Sequence, residues 1–462
     1  MENFWDYNVW GFFNLMAVLL LSLLAANVLR KTVKGLNESL IPTSVLGGGV
    51  LLLASAIYKL FTGVNMFDTN FFGGNGTSML ELITYHTLAL GFIASTFKTS
   101  DKKLTKERTI EIFNTGVTTV STYLLQAGVG MAITITAALI AKKVFPASGL
   151  LLALGYGQGT GQAMNYGNIY EVEYGFLGGK SFGLTIAAMG FLCASIGGVI
   201  HMNVMKKRGV FCSGAHEEGK LMEEEIQSGN EIPMQDSIDK MTIQVALVTV
   251  AYLLAYVLML VFGNLLPGLK SVIYGFNFLL GVLSATLLKV GIRYFRNRGI
   301  MKKEYTNNFL MTRVSNFFFD IMVVAGIAAI RLGALLDYWF VLMLLGVVGA
   351  VITFIYIRFV TGKLFRAYRE EQFLAMYGML TGTASTGVIL LREIDGQFKT
   401  PAADNLVYQN FPAMALGFPI MLLAAAAPKA PLTVMCIVFA LLIVMNVLLF
   451  RSYIFCKKKT GT

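Results

Sequence analysis

Along this chain the apolar residues fall in blocks of about 20, separated by short polar segments. Segments such as Ala17–Ala26, Met241–Leu266, Trp339–Tyr356 and Leu432–Phe450 contain no charged residue on any face. A helix on the surface of a soluble domain keeps a polar face. About 20 apolar residues is also the length a helix needs to cross a hydrocarbon core about 30 Å thick. The pattern therefore predicts an all-α polytopic membrane protein. Eleven full spans are expected, at roughly 9–29, 40–61, 79–97, 113–141, 181–205, 241–266, 271–290, 309–332, 338–358, 405–427 and 432–455. Two further apolar stretches, Leu150–Asn165 and Phe373–Leu391, are short and interrupted by glycine. They predict re-entrant hairpins or broken helices over about 148–165 and 372–391.

Composition agrees. Of 462 residues 56% are apolar and 14% charged, against roughly 25% charged in soluble domains. The net charge of +11 does not point to nucleic acid, because the basic residues cluster at the ends of the apolar blocks, where they encode topology. The expected partner is the lipid bilayer. With the N-terminus outside, about 30 of the 37 Lys and Arg lie on the cytoplasmic side, which predicts an N-out, C-in protein. Lys142 and Lys143 go against that rule. Met1–Asn8 lacks a basic n-region, so the first span is expected to stay as an uncleaved anchor. Cys193, Cys212, Cys436 and Cys456 have no metal-like spacing and are expected as free thiols. Lys98–Phe113 reads as a linker, with a short helix lying in the interface as the alternative, and the acid-rich Lys206–Lys240 as a flexible cytoplasmic connector.

The chain also carries an internal duplication. Gly155-Tyr-Gly-Gln-Gly-Thr and Gly378-Met-Leu-Thr-Gly-Thr share Gly-x-x-x-Gly-Thr; Leu46-Gly47 matches Leu280-Gly281, and Leu90-Gly91 matches Ala325-Gly326. This divides the chain into a first repeat (1–205), a linker (206–240), a second repeat (241–427) and an extra C-terminal span (428–462). Each repeat holds five spans and one hairpin. Five is odd, so the second repeat is expected upside down relative to the first.

The hairpin tips carry the candidate chemistry. Unwound backbone frees carbonyl oxygens that can ligate Na⁺, and exposes helix N-termini that suit a carboxylate. The candidate residues are Gln158, Gly159, Thr160, Gly161 and Asn165 in the first tip, with the amide of Gln162, and Thr381, Gly382, Thr383, Ser385 and Thr386 in the second. Small residues at such positions also serve helix packing, but two matched tips favour binding. Asp320 inside the eighth span is a candidate cation ligand or proton carrier, or the structural partner of Arg313. Candidate Na⁺ ligands are Thr160, Thr383 and Asp320. Arg331 near the outer end of that span reads as snorkelling, with attraction of an anion as the alternative; Glu81 and His86 read as interfacial, with a proton relay as the alternative for His86. His201 and His216 show no partner pattern. Gly155-Tyr-Gly-Gln-Gly lacks the lysine of a phosphate-binding loop, and no His-Glu-x-x-His or Gly-x-Ser-x-Gly occurs, so no enzyme and no cofactor beyond a coupling ion is expected.

Ile41-Pro-Thr-Ser-Val-Leu-Gly-Gly-Gly49, Gly157-Gln-Gly-Thr-Gly161 and Gly378–Gly387 resemble the bacterial sodium/glutamate symporter family, over most of the chain outside the central loop and last span. The resemblance implies Na⁺-coupled uptake of glutamate or a related small carboxylate, alternating access, a homodimer, and a bacterial inner membrane. Three departures stand out: Gln158 where that family often has His, Thr383-Ala-Ser-Thr386 without the proline of Ala-Thr-Pro, and Asp320 in place of a small neutral residue. They leave substrate and ion open, including a proton- or sodium-coupled di- or tricarboxylate carrier. A channel would line its pore with charge rings or carbonyl filters.

Overall fold

The computed structural model describes residues 3–98, 105–141, 143–208, 238–301, 303–395 and 399–455, so the connector over 209–237, His216, Cys212 and Cys456 lie outside it. The described residues form helices and no strand. In chain order they are α1 (Tyr7–Thr32), α2 (Lys34–Glu38), α3 (Thr43–Thr62), α4 (Gly76–Phe97), α5 (Lys106–Ile140), α6 (Leu151–Tyr174), α7 (Gly179–Lys207), α8 (Lys240–Leu265) and α9 (Lys270–Gly275). There follow α10 (Asn277–Asn297), α11 (Asn308–Ala328), α12 (Trp339–Leu364), α13 (Arg369–Thr381), α14 (Ala384–Arg392), α15 (Ala402–Tyr408), α16 (Asn410–Ala426), α17 (Pro431–Leu449) and α18 (Arg451–Phe455).

Uncharged helices that leave apolar side chains such as Leu253, Leu432 and Ile443 exposed are satisfied only in lipid. Ten helices among the described residues are long and apolar enough to cross a bilayer, or eleven when α15 and α16, bent by 51°, count as one. The protein is a multi-pass membrane protein. Polar side chains set several starts. Asp239 accepts from the Met241 and Thr242 amides at α8, Asn307 from Leu310 at α11, and Thr105 from Arg108 at α5. The Thr105 cap corrects the expected boundary: residues 106–113 are the first two turns of α5 and not linker.

The chain divides into two compact units that cut across the two expected repeats. Unit 1 comprises Met1–Ser22, Leu51–Lys102 and Glu218–Ala329; unit 2 comprises Leu23–Val50, Lys103–Glu217 and Ile330–Thr462. Each thus takes helices from both halves of the sequence.

In unit 1, α4 packs on α10 and α11 around Ile93, Ala94, Phe97, Val248, Ala285 and Met311. Within it His86 Nδ1 lies 2.7 Å from the Tyr252 hydroxyl, and Asn277 donates to the Tyr85 carbonyl at 2.9 Å. Lys289 donates to the Thr96 carbonyl at the end of α4, 3.1 Å away.

Unit 2 repeats one motif: span α5, hairpin, span α7, then span α12, hairpin, spans α15 and α16. Helices α5 and α12 run antiparallel. Gln126 meets Thr353, and one turn on, Gly130 and Gly349 both abut Leu152. Lys143 pairs with Asp337 at 2.9 Å, both exposed, which supplies a local partner for a charge that runs against the topology rule.

Candidate binding site at two opposed hairpins

Helix α6 is two helical legs joined at a break, and it doubles back. Phe145, which precedes it, and Tyr170, near its end, have ring centroids 5.4 Å apart. An unbroken helix from residue 151 to 170 would rise about 28 Å. The reversal is at Gly159, whose φ of 80° and ψ of −168° are reached essentially only by glycine. The chain folds back at Gly159, and the leg after it runs to Tyr174, beyond the expected end at 165. The second hairpin is formed by α13 and α14. A Cβ on Gly378 would lie 2.8 Å from Gly387 Cα, so the two helices run side by side and reverse at Gly382–Thr383.

Helix α7 shows how the hairpins face each other. The return leg of the first packs along the start of α7, with Gly167 against Gly179 and Ala163 against Gly183. Helix α13 packs along its later part, with Glu370 on His201 and Tyr377 on Gly197. Both tips reach Gly190. A Cβ there would collide with the Thr381 carbonyl oxygen and lie 2.9 Å from the Tyr156 ring. Helix α5 gives the same picture. Gly149 lies against Gly130, and the Tyr123 hydroxyl donates to the Gly157 carbonyl at 2.9 Å. From the other end, Gln372 donates to Thr115 at 3.4 Å, and Gln126 Nε2 donates to the Leu380 carbonyl at 2.9 Å. Two hairpins thus enter unit 2 from opposite ends and meet beside residues 123–126 and 190.

The candidate residues have distinct surroundings. Thr160, Gly161 and Asn165 are buried, as are Thr381, Gly382 and Thr386. Thr383 is half-buried and 3.4 Å from Thr386, oxygen to oxygen, while Ser385 is exposed. The Thr381 hydroxyl donates back to the Tyr377 carbonyl at 2.6 Å, a common use of threonine in a helix. Several buried amide atoms near the tips have no partner: Gln126 Oε1, Gln158 Oε1, Gln409 Oε1, and both Oε1 and Nε2 of Gln162. Gln409 lies at the bend between α15 and α16 and donates to Met379 Sδ at 3.2 Å, two residues before Thr381. Asp320 is not among these groups. It is exposed on α11 in unit 1, and Arg313 on the same helix stacks over Phe309 with its guanidinium carbon 4.9 Å from the ring centroid.

The hairpin bases are anchored differently. Phe145, Tyr170, Phe176, Phe182 and Tyr338 form an aromatic cluster at the first, with Phe145 and Phe176 stacked at 4.9 Å. At the second, Glu370 accepts from Arg358 at 2.7 Å and lies 2.8 Å from His201 Nε2. Burial acts to raise the Glu370 carboxyl pKa, but the bonds from His201 and Arg358 outweigh it and pull the pKa down to about 2. His201, which showed no partner pattern in the sequence, is thus part of an ionic anchor. Its partner lies 169 positions away. Gln126 and Gln409 were missed for a related reason, since they belong to helices outside the glycine-rich motifs. No family model matches this chain, and no curated protein sequence matches it.

Proposed function

We propose that this protein is a secondary active transporter that couples Na⁺ entry to uptake of glutamate or a related small carboxylate by alternating access. The observation that carries the reading is the meeting of two oppositely directed, broken hairpins beside Gly190. Irregular backbone at membrane depth is tolerated only where it is buried in protein or lines a cavity, and in carriers it forms the substrate and ion site. Freed carbonyls and the unpaired oxygens of Gln126, Gln158 and Gln409 suit Na⁺. Thr160 and Thr383 are the proposed hydroxyl ligands. The legs beginning at Thr160 and Ala384 direct backbone N–H groups toward a carboxylate. Antiparallel α5 and α12, each followed by a hairpin, support a pair of inverted repeats. The working form proposed is a homodimer in a bacterial inner membrane, N-terminus outside and C-terminus inside. Asp320 is the candidate proton carrier if the coupling ion is H⁺.

Proteoliposome uptake tests the reading. Accumulation is expected to be saturable and to need an imposed Na⁺ gradient. Thr160→Val and Thr383→Val should each lower it about tenfold, the equivalent of about 1.4 kcal/mol, with membrane insertion intact. Normal kinetics in both variants would remove the hairpins from the mechanism. Flux that only dissipates gradients would mean a channel.

A further inference from the structure

We infer that the hairpin site takes an α-amino acid with a neutral carboxamide side chain, of the glutamine or asparagine type, in preference to a dicarboxylate. This rests on the carrier reading above and moves its substrate from glutamate to a related α-amino carboxylate with a neutral side chain.

The first argument is charge. The stretches of unit 2 that surround the tips, residues 112–140, 151–170, 181–200, 339–357 and 373–391, contain no Asp, Glu, Lys or Arg. A side-chain carboxylate brought among them would find no counter-charge from these helices, and an uncompensated buried charge is costly. A zwitterion brings its own balance. Its carboxylate suits the N–H groups at the start of a hairpin leg, and its ammonium suits unpaired amide oxygens.

The second argument is Gln162. It is fully buried, three residues past the reversal at Gly159, and neither Oε1 nor Nε2 has a partner. Gln126 differs, because its Nε2 is already committed to Thr353 and the Leu380 carbonyl and only its oxygen is free. A donor-only ligand therefore completes Gln126 but leaves half of Gln162 unsatisfied. A carboxylate satisfies Nε2 and sets its negative oxygens against Oε1. An ammonium or Na⁺ satisfies Oε1 alone. A primary carboxamide presents one donor edge and one acceptor edge, and so pairs with both atoms at once. A site that must pair buried polar groups discriminates strongly against ligands that cannot do so.

The test uses full-length protein with L-glutamine, L-asparagine, L-glutamate and L-methionine, in Na⁺-gradient proteoliposomes and by thermal shift in detergent. The expected result is that glutamine or asparagine is accumulated, and stabilises the protein, at concentrations at least about 100-fold below those needed for glutamate. Gln162→Met should abolish that preference and improve methionine relative to glutamine, while Gln162→Asn should retain part of it. Glutamate accumulated as well as or better than the carboxamides would overturn the inference and leave the carrier reading standing. Carboxamide binding without accumulation of any solute would do the reverse. A parallel loss for all four ligands in Gln162→Met, with Gln162→Asn no better, would reduce Gln162 to packing and overturn the assignment. No binding and no accumulation would end both.

Discussion

The two hairpins of unit 2 do the same topological job with different chemistry. The first reverses at one non-helical residue, Gly159; the second opens into two, Gly382 and Thr383. Amides dominate the first tip and hydroxyls the second. The first base is held by stacked aromatic rings, the second by Glu370, His201 and Arg358. An aromatic clamp is indifferent to pH and salt, whereas an ionic one is not. One end of the site therefore leans on ring packing, and the other on the charge state of Glu370.

The largest effect that separates the two is expected from Phe176→Ala. It removes a nearly buried ring that contacts Phe145, Phe182 and Tyr338, at a cost of about 4 kcal/mol. Thermal unfolding in detergent should show the same loss at pH 5 and pH 8. Glu370→Gln comes next, at about 3 kcal/mol, because it leaves Arg358 and His201 beside a neutral amide. The folded-state pKa of Glu370 is depressed to about 2. Its contribution is therefore full above the ordinary carboxylate range, near 4.5, and is lost as pH falls toward 2. The variant and the natural protein should converge in stability across that window, and parallel acid-titration curves would show the anchor to be inert. The smallest effect is Gly159→Ala, at about 2 kcal/mol, since alanine must adopt a conformation reserved for glycine. It should spare the second tip, which scanning for cysteine accessibility at Thr383→Cys can verify.

Much of this was legible in the chain. The spans could be read because each is a block of about 20 uncharged residues, and hydropathy needs no tertiary context to act. The hairpins were marked by Gly155–Gly161 and Gly378–Gly387, where a helix cannot continue undisturbed. The return leg from Asn165 to Tyr174 was not legible, because Asn168, Glu171 and Glu173 interrupt its apolar residues and the Tyr166 and Tyr170 hydroxyls have no local partner in the sequence. The Tyr166 and Tyr170 hydroxyls donate to the Met421 and Ala424 carbonyls, 2.9 and 2.7 Å away. The division into two units was also hidden, since each unit is assembled from segments that lie far apart in the sequence. The ionic anchor escaped for the same reason, as neither His201 nor Glu370 carries a local signature of the other. Asp320, prominent as a charge within a span, lies outside the unit that holds both tips.

Helix α7 measures the distance between the hairpins in residues. Gly179 and Gly183 seat one, Gly197 and His201 seat the other, and Gly190 marks where they meet. One residue inserted between Gly183 and Gly190 would turn everything after it by about 100° and advance it about 1.5 Å, facing Gly190 away from both tips. No side-chain replacement could undo that. In this segment, therefore, the spacing between the glycines is itself a constraint, and insertions and deletions cannot be absorbed.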